Sequence, residues 1–275
     1  MHTPESPRDP GWFYCTRFRL KNALSPQKVS TDGVLLGAWA GQGMESRRVL
    51  RIADLGAGTG ILGALLADRF LKAQIDLFEW HSAACADLRE SLDQWPFSER
   101  LDLIEGDWFE QLPMYRPKGG YDLVVTNPPF WVDQRPSIRS DRAQARHMDS
   151  EADWIRWLRS AAEAVAPGGR LCWVASAEPI AGEIDALPTE LRLLRRVWIR
   201  AKPQKPRIRR LEEWIRPRSV VSSDTDLGPV VEQEWTLYEA NGTPGNDYKK
   251  LLRDFLPSLS SQESEPPPIN PNCSK

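Results

Sequence analysis

The chain has 275 residues and a net charge of −2, with four cysteines. Its length allows one large buried core. No run approaches the ~18 apolar residues of a membrane span, and the polar, proline-rich residues 1–10 lack the apolar stretch of a secretory signal. Cys15, Cys85, Cys172 and Cys273 show no Cys-x-x-Cys spacing, which argues against a zinc site or a disulfide framework. A cytoplasmic monomer, without metal or membrane contact, is expected.

Residues 1–11 read as a disordered tail. Residues 12–20 alternate aromatic or apolar side chains (Trp12, Tyr14, Thr16, Phe18, Leu20) with others that include Arg17 and Arg19, predicting a short strand with a basic side. In residues 28–40, Thr31 or Asp32 can cap an apolar helix ending near Trp39. Residues 49–54 predict a buried strand, which Gly56-Ala57-Gly58-Thr59-Gly60 turns into a helix over 61–73. Glycine suits such a turn because the backbone bends tightly and a ligand can approach with no Cβ in the way. Gly58 to Gly63 also satisfies the dinucleotide pattern G-x-G-x-x-G, so the glycines alone do not name the ligand. Asp54, two residues before the first glycine, discriminates. Its carboxylate suits the cationic amino group of S-adenosylmethionine and would repel a pyrophosphate.

A second strand over 74–80 brings Glu79 to its end, where an acid can accept from both hydroxyls of a ribose. A helix over 82–94 follows, then a strand over 101–105 with Gly106-Asp107-Trp108 at its end. There a carboxylate can accept from an adenine amino group and an indole can cover the ring, with Trp80 close by. Tyr121 to Thr126 has the β-branched composition of a buried strand, and Asn127-Pro128-Pro129-Phe130 leaves it as a stiff loop, since Asn-Pro-Pro continues neither a ladder nor a helix. The prolines donate no N–H, so carbonyl oxygens and the Asn127 amide oxygen are held as acceptors beside an aromatic ring. That is a clamp for a planar group bearing an NH2. Four strand ends thus converge on one crevice.

Residues 131–150 form a long polar connection, read as a substrate loop in which Arg139, Arg142 and Arg146 would meet RNA. An amphipathic helix over 151–165 ends at Pro167-Gly168-Gly169, followed by a strand over 170–176 and a helix over 180–187. Residues 191–201 and 208–216 read as an antiparallel pair joined by Lys202-Pro203-Gln204-Lys205-Pro206. A late strand over 230–238, a helix over 247–256 and a disordered tail over 258–275 complete the chain. Between Arg192 and Arg218 eleven Arg or Lys residues face two acids, Glu212 and Glu213. The strip is either a polyanion docking face, with Lys205, Arg207 and Arg17 as candidate RNA contacts, or a pair of solvated strands. His81 and His147 read as rim or loop residues; sulfonium transfer needs little base catalysis.

Repeated β-α units followed by an antiparallel pair predict an α/β, doubly wound, seven-stranded sheet with an antiparallel last strand, as one domain over 12–257 with a small N-terminal extension at 12–45. The order Asp54 to Gly60, Glu79, Asp107 and Asn127-Pro128-Pro129-Phe130, at four successive strand ends, resembles the class I, Rossmann-like, S-adenosylmethionine-dependent methyltransferases. The resemblance implies S-adenosylmethionine as cofactor, held by Thr31, Asp32, Asp54, Gly56, Gly58, Gly60, Glu79, Trp80, Asp107, Trp108 and Asn127. It implies catalysis by the Asn127, Pro128, Pro129 and Phe130 clamp on a conjugated nitrogen. Residues 28–40, Ala143-Gln144-Ala145-Arg146, and Leu237 to Gly242 with Asp247-Tyr248 and Leu251 to Phe255 are similar to the bacterial tRNA1(Val) (adenine(37)-N6)-methyltransferase family. That likeness implies methylation of N6 of adenosine 37 and a tRNA anticodon arm as partner. Guanine-N2 methylation of ribosomal RNA, glutamine methylation of a protein and an inactive RNA-binding module are the alternatives.

Overall fold

The computed structural model describes residues 9–45, 49–128, 151–179, 181–185, 187–218 and 228–260. The expected N-terminal strand is instead a hairpin of β1 (Trp12–Tyr14) and β2 (Arg19–Lys21). Cys15 N–H donates to Phe18 O at 2.9 Å and folds the alternating stretch back on itself, so that Phe18 and Leu20 enter the core while Arg19 stays outside. α1 (Thr31–Trp39) is capped by Ser30, not by Thr31 or Asp32. Ser30 holds the extended backbone of a cap, and its Oγ accepts from Gly33 N–H at 3.1 Å.

The main sheet contains β3 (Arg51–Leu55), β4 (Gln74–Glu79), β5 (Leu101–Glu105), β6 (Tyr121–Thr126), β7 (Val165–Ser176), β8 (Arg192–Arg200), β9 (Arg207–Ile215) and β10 (Val231–Thr236). Their order is β10-β8-β9-β7-β6-β3-β4-β5, eight strands where seven were expected. β9 runs antiparallel to both β7 and β8, as the sequence pair predicts, and β10 adds a strand parallel to β8 at the edge. Trp235 of β10 is buried in the core, and Glu232 and Glu234 pair with Arg196 and Arg200 of β8. Two cross-strand ion pairs and one buried ring hold the extra strand to the edge.

One apolar layer packs α1, α2 (Ile61–Arg69), α3 (Ser82–Leu92) and α6 (Asn246–Leu252) on one face of the sheet, and a second packs α4 (Trp108–Tyr115) and α5 (Glu151–Glu163) on the other. A last turn, α7 (Pro257–Ser260), closes the described chain. α2 ends four residues before its expected end, because Arg100 takes the carbonyls of Ala67, Phe70 and Ala73 at 2.9–3.1 Å and so satisfies its last turn. α4 has no counterpart in the sequence reading; Asp107 caps its start, and it carries Pro113 within it. β7 runs through Pro167-Gly168-Gly169 by a break in register opposite Tyr121 to Leu123. A Cβ on Gly169 would lie 2.6 Å from Tyr121 O, so only glycine permits that approach. Residues 181–185 form turns rather than the expected helix: buried Arg210 of β9 bonds Ser176 O and Glu183 and holds the segment against the sheet. Among the described residues no helix is long and apolar enough to cross a membrane, and no group of three His, Cys, Asp or Glu could hold a metal ion.

Candidate active site

Strand order reverses between β3 and β6, and the crevice outside their carboxyl ends is where such sheets bind ligands. A cleft there is lined by residues 27–30 before α1, by Gly56, Ala57, Gly58 and Thr59 after β3, by Ile61 and Leu62 of α2, and by Asn127 after β6. The glycines that shape it do different work. Gly56, Gly58 and Gly60 all have positive φ, of 77°, 57° and 80°. A Cβ on Gly58 would meet nothing within 4 Å, so its open side is free for a ligand. On Gly60 the same Cβ would lie 2.4 Å from Leu88 Cδ1, so that glycine serves packing.

Asp54 is fully buried below this loop. Its Oδ2 accepts from Gly63 N–H at 3.0 Å, and its Oδ1 has no partner. Burial, partly offset by the Gly63 bond and reinforced by the negative Glu79, raises its pKa to about 7. Glu79 lies at the end of β4 and accepts from Gly58 N–H through Oε2 and from His81 N–H through Oε1, both at 2.7 Å. Burial raises its pKa against the pull of those N–H groups. Glu79 therefore ties the glycine loop to the second strand end, and Trp80 beside it is half-buried, edge-on to His81.

Asn127 carries the most informative atom in the cleft. Its Oδ1 is buried and accepts no hydrogen bond from the described residues, a state that costs about 1–3 kcal/mol unless a donor arrives. The first turn of α1 presses on the same side chain: a Cβ on Gly33 would sit 3.4 Å from Asn127 Nδ2 and 3.2 Å from Ile61 Cγ2. α1 is held there by Asp32, whose carboxylate accepts from Arg209 Nε of β9 at 3.0 Å, with Thr31 beside it in the same turn. Pro128 is buried next to Asn127, while Pro129, Phe130, Arg139, Arg142, Arg146, His147 and the expected substrate loop lie outside the described residues.

At the end of β5 Asp107 accepts from Phe109 N–H at 2.9 Å. Trp108 does not reach the surface: it is 3% exposed, stacked on Phe109 with ring centroids 4.1 Å apart. Phe109 forms the rim instead, its ring 4.3 Å from the Arg156 guanidinium, over a recess lined by Asp107, Phe109, Asp153 and Arg156. Sequence reasoning missed Phe109, Arg156 and residues 27–30; only the Ser30 cap left a local signal.

The candidate RNA contacts are dispersed. Arg17 pairs with Asp68 at the far end of α2, away from the cleft. Lys205 lies on the β8–β9 connection and Arg207 begins β9, at the end of the sheet that also carries the cleft, and Arg207 pairs with Glu234 at 3.3 Å. Much of the basic strip is neutralised within the fold: Arg195 pairs with Glu213, Arg196 with Glu212 and Glu232, and Arg210 with Glu183 and Glu212.

A family model, the methyltransferase small domain, matches residues 41–181. The tRNA1(Val) (adenine(37)-N6)-methyltransferase of Parabacteroides distasonis is 34% identical over 174 residues, 63% of this chain and 70% of that protein. The protein of that description from Shewanella loihica is 33% identical over 250 residues, 90% of this chain and 99% of its own length. Among solved structures, a predicted O-methyltransferase from Agrobacterium tumefaciens shares the fold, with a TM-score of 0.60 and 22% identity over 81% of this chain and 96% of that one.

Proposed function

The chain belongs to the methyltransferase small domain family and, within it, to the tRNA1(Val) (adenine(37)-N6)-methyltransferases, and from that premise we propose that it methylates N6 of adenosine 37, beside the anticodon of tRNA1(Val). The observation that carries the reading is the buried, unpartnered Oδ1 of Asn127 at the mouth of the glycine-lined cleft. S-adenosylmethionine is the methyl donor, and when bound it supplies a methyl on a sulfonium, a leaving group that needs no general acid. Gly58 leaves open space for it, Glu79 would hold its ribose, and Asp107 with Phe109 would hold its adenine, Trp108 being the buried support of Phe109. Asp54, with one orphaned oxygen, offers charge to its ammonium group.

Asn127 Oδ1 accepts one N–H of the adenosine amino group and the Pro128 carbonyl the other. The nitrogen's lone pair, otherwise delocalised into the ring, would thereby be turned out of the ring plane and freed for attack. Phe130, which lies outside the described residues, is the ring that the sequence offers for stacking on the base. The rate gain is orientation and pre-set electrostatics, and the proton lost from nitrogen passes to solvent. The base must leave the anticodon-loop stack to reach the clamp.

The β8–β9 connection supports the RNA side of the reading. Lys202 and Lys205 are exposed there without an ion pair among the described residues, and Arg200 and Arg207 share the single acid Glu234. A net positive tip beside the cleft suits the phosphates of an anticodon arm in the cytoplasm.

The test is methylation of unmodified valine tRNA by the wild type and by Asn127→Ala, read by mass spectrometry of the digested nucleosides. N6-methyladenosine from the wild type, lost with the variant and lost when adenosine 37 is replaced, is expected. N2-methylguanosine from ribosomal RNA instead, or near-normal turnover by Asn127→Ala, overturns the substrate or the clamp respectively.

A further inference from the structure

Trp157 of α5 is 6% exposed and touches three of the strand ends that build the cleft. Its Nε1 donates to Thr126 Oγ1 at 3.0 Å, and the Thr126 hydroxyl donates to Leu55 O at 2.9 Å. A hydroxyl has one proton, so the direction is set: indole to hydroxyl to carbonyl. The ring also packs against the glycine loop, since a Cβ on Gly56 would lie 3.3 Å from Trp157 Cη2. Across its other side it meets Trp108 edge-on, with centroids 4.8 Å apart, and Phe109 at 5.9 Å.

The place of this relay in the sheet gives it a task. The backbone pairing of β3 with β6 ends at Asp54 opposite Val125. Leu55 and Thr126, the next residues, lead into Gly56 and Asn127, and it is the Trp157–Thr126–Leu55 relay that joins them. Thr126 is fully buried, so no water competes for the hydroxyl. We infer that Trp157 is a positioning residue for the transfer: through Thr126 it fixes the separation between the cofactor loop and the Asn127 acceptor. It touches neither methyl nor base. The inference rests on the proposed reaction, because an incorrect separation matters only if the two loops hold the two reactants.

Trp157→Phe keeps a ring and removes the donor, Thr126→Val keeps the shape and removes the hydroxyl, and Thr126→Ser keeps the hydroxyl. The first two are expected to lower kcat on valine tRNA by about tenfold to a hundredfold, as small misplacements of reacting groups do. The double variant should fall no further than the worse single one, since both remove one shared contact. Thr126→Ser should restore kcat to within about threefold, and the affinity for S-adenosylhomocysteine, by calorimetry, should change by less than about threefold throughout. Amide hydrogen exchange over residues 55–58 and at Thr126 and Asn127 should quicken in Trp157→Phe and Thr126→Val and not in Thr126→Ser. Wild-type kcat in Trp157→Phe, or losses that track only the folded fraction, overturn the inference. If Thr126→Val does not fold, Trp157→Phe and Thr126→Ser decide it. A wild type inactive on the tRNA would instead sink the proposed substrate, with the exchange and calorimetric readouts still judging the relay.

Discussion

Replacing Asp54 by Asn should stabilise the ligand-free protein at high pH and lose that advantage in acid. The carboxylate is fully buried, donates nothing, and has one oxygen without a partner. Burial raises its pKa from 3.8 to about 7, so the fold prefers the protonated form. Well below the unfolded value of 3.8 both folded and unfolded chains hold the proton and the site costs nothing. As the pH rises the unfolded chain ionises first, and the penalty grows until the pH passes the folded value. At about 1.4 kcal/mol per unit, the full penalty is about 4 kcal/mol at pH 8 and about 1.5 kcal/mol at pH 5. Asn keeps an oxygen for Gly63 N–H and carries no charge. Urea unfolding of both proteins should therefore show the variant gaining about 2–3 kcal/mol on the wild type between pH 5 and pH 8. Glu79, whose pKa is also raised, faces Asp54 electrostatically, so the part of its titration that does not depend on the Asp54 charge is common to both proteins. Saturating S-adenosylmethionine at pH 8 should narrow the gap by favouring the wild type. A stability difference that stays the same from pH 5 to pH 8 refutes the assignment of the penalty to this carboxylate.

Glu79→Gln turns an NH2 toward one of two N–H donors, Gly58 or His81. It should lower stability by about 1–3 kcal/mol and weaken S-adenosylhomocysteine binding by calorimetry; unchanged affinity would remove Glu79 from the cofactor site. Gly60→Ala forces a Cβ to 2.4 Å from Leu88 and should cost about 3 kcal/mol or more. Gly58→Ala pays only the about 1–2 kcal/mol of its backbone yet should lose most ligand-induced stabilisation in thermal melts. Equal behaviour of the two would contradict the division of roles. Arg210→Met leaves Glu183 and Glu212 buried without their shared partner and should destabilise by about 3–5 kcal/mol in urea, where a surface-like loss would show that the network is solvated. Lys202→Glu with Lys205→Glu should raise the KM for tRNA and flatten its salt dependence by about two contacts, leaving S-adenosylhomocysteine affinity alone; an unchanged salt slope takes the hairpin tip off the RNA.

Where chemistry and backbone constraint coincide in a few adjacent residues, the amino-acid order was enough. Asp54 to Gly60 must turn because three of its glycines take positive φ. Asn127-Pro128 must leave the ladder because proline cannot donate to it. The strands from β3 to β6 were legible from their apolar composition, though α4 between β5 and β6 was not, and β8 and β9 were legible from their strand-forming residues on either side of a proline-rich turn. The sheet order then brought Glu79 beside Gly58 and Asn127 beside the glycine loop.

Partnerships between distant segments were settled only by the packing. Eleven basic residues between Arg192 and Arg218 looked like a docking strip, and the sheet set many of them against Glu212, Glu213, Glu232 and Glu234, partners that local charge counting cannot assign. Trp108 and Phe109 are neighbours with equal claims to a ligand until α5 buries one and leaves the other at the rim. Residues 27–30 joined the cleft because α1 docks on α2, and Trp157 reached Thr126 and Leu55 because α5 crosses the ends of β3 and β6. Propensity and pattern act over a few residues, whereas burial and ion pairing depend on which surfaces the closed sheet brings together. The chain thus carries its chemistry locally and acquires the spacing of that chemistry only when it folds.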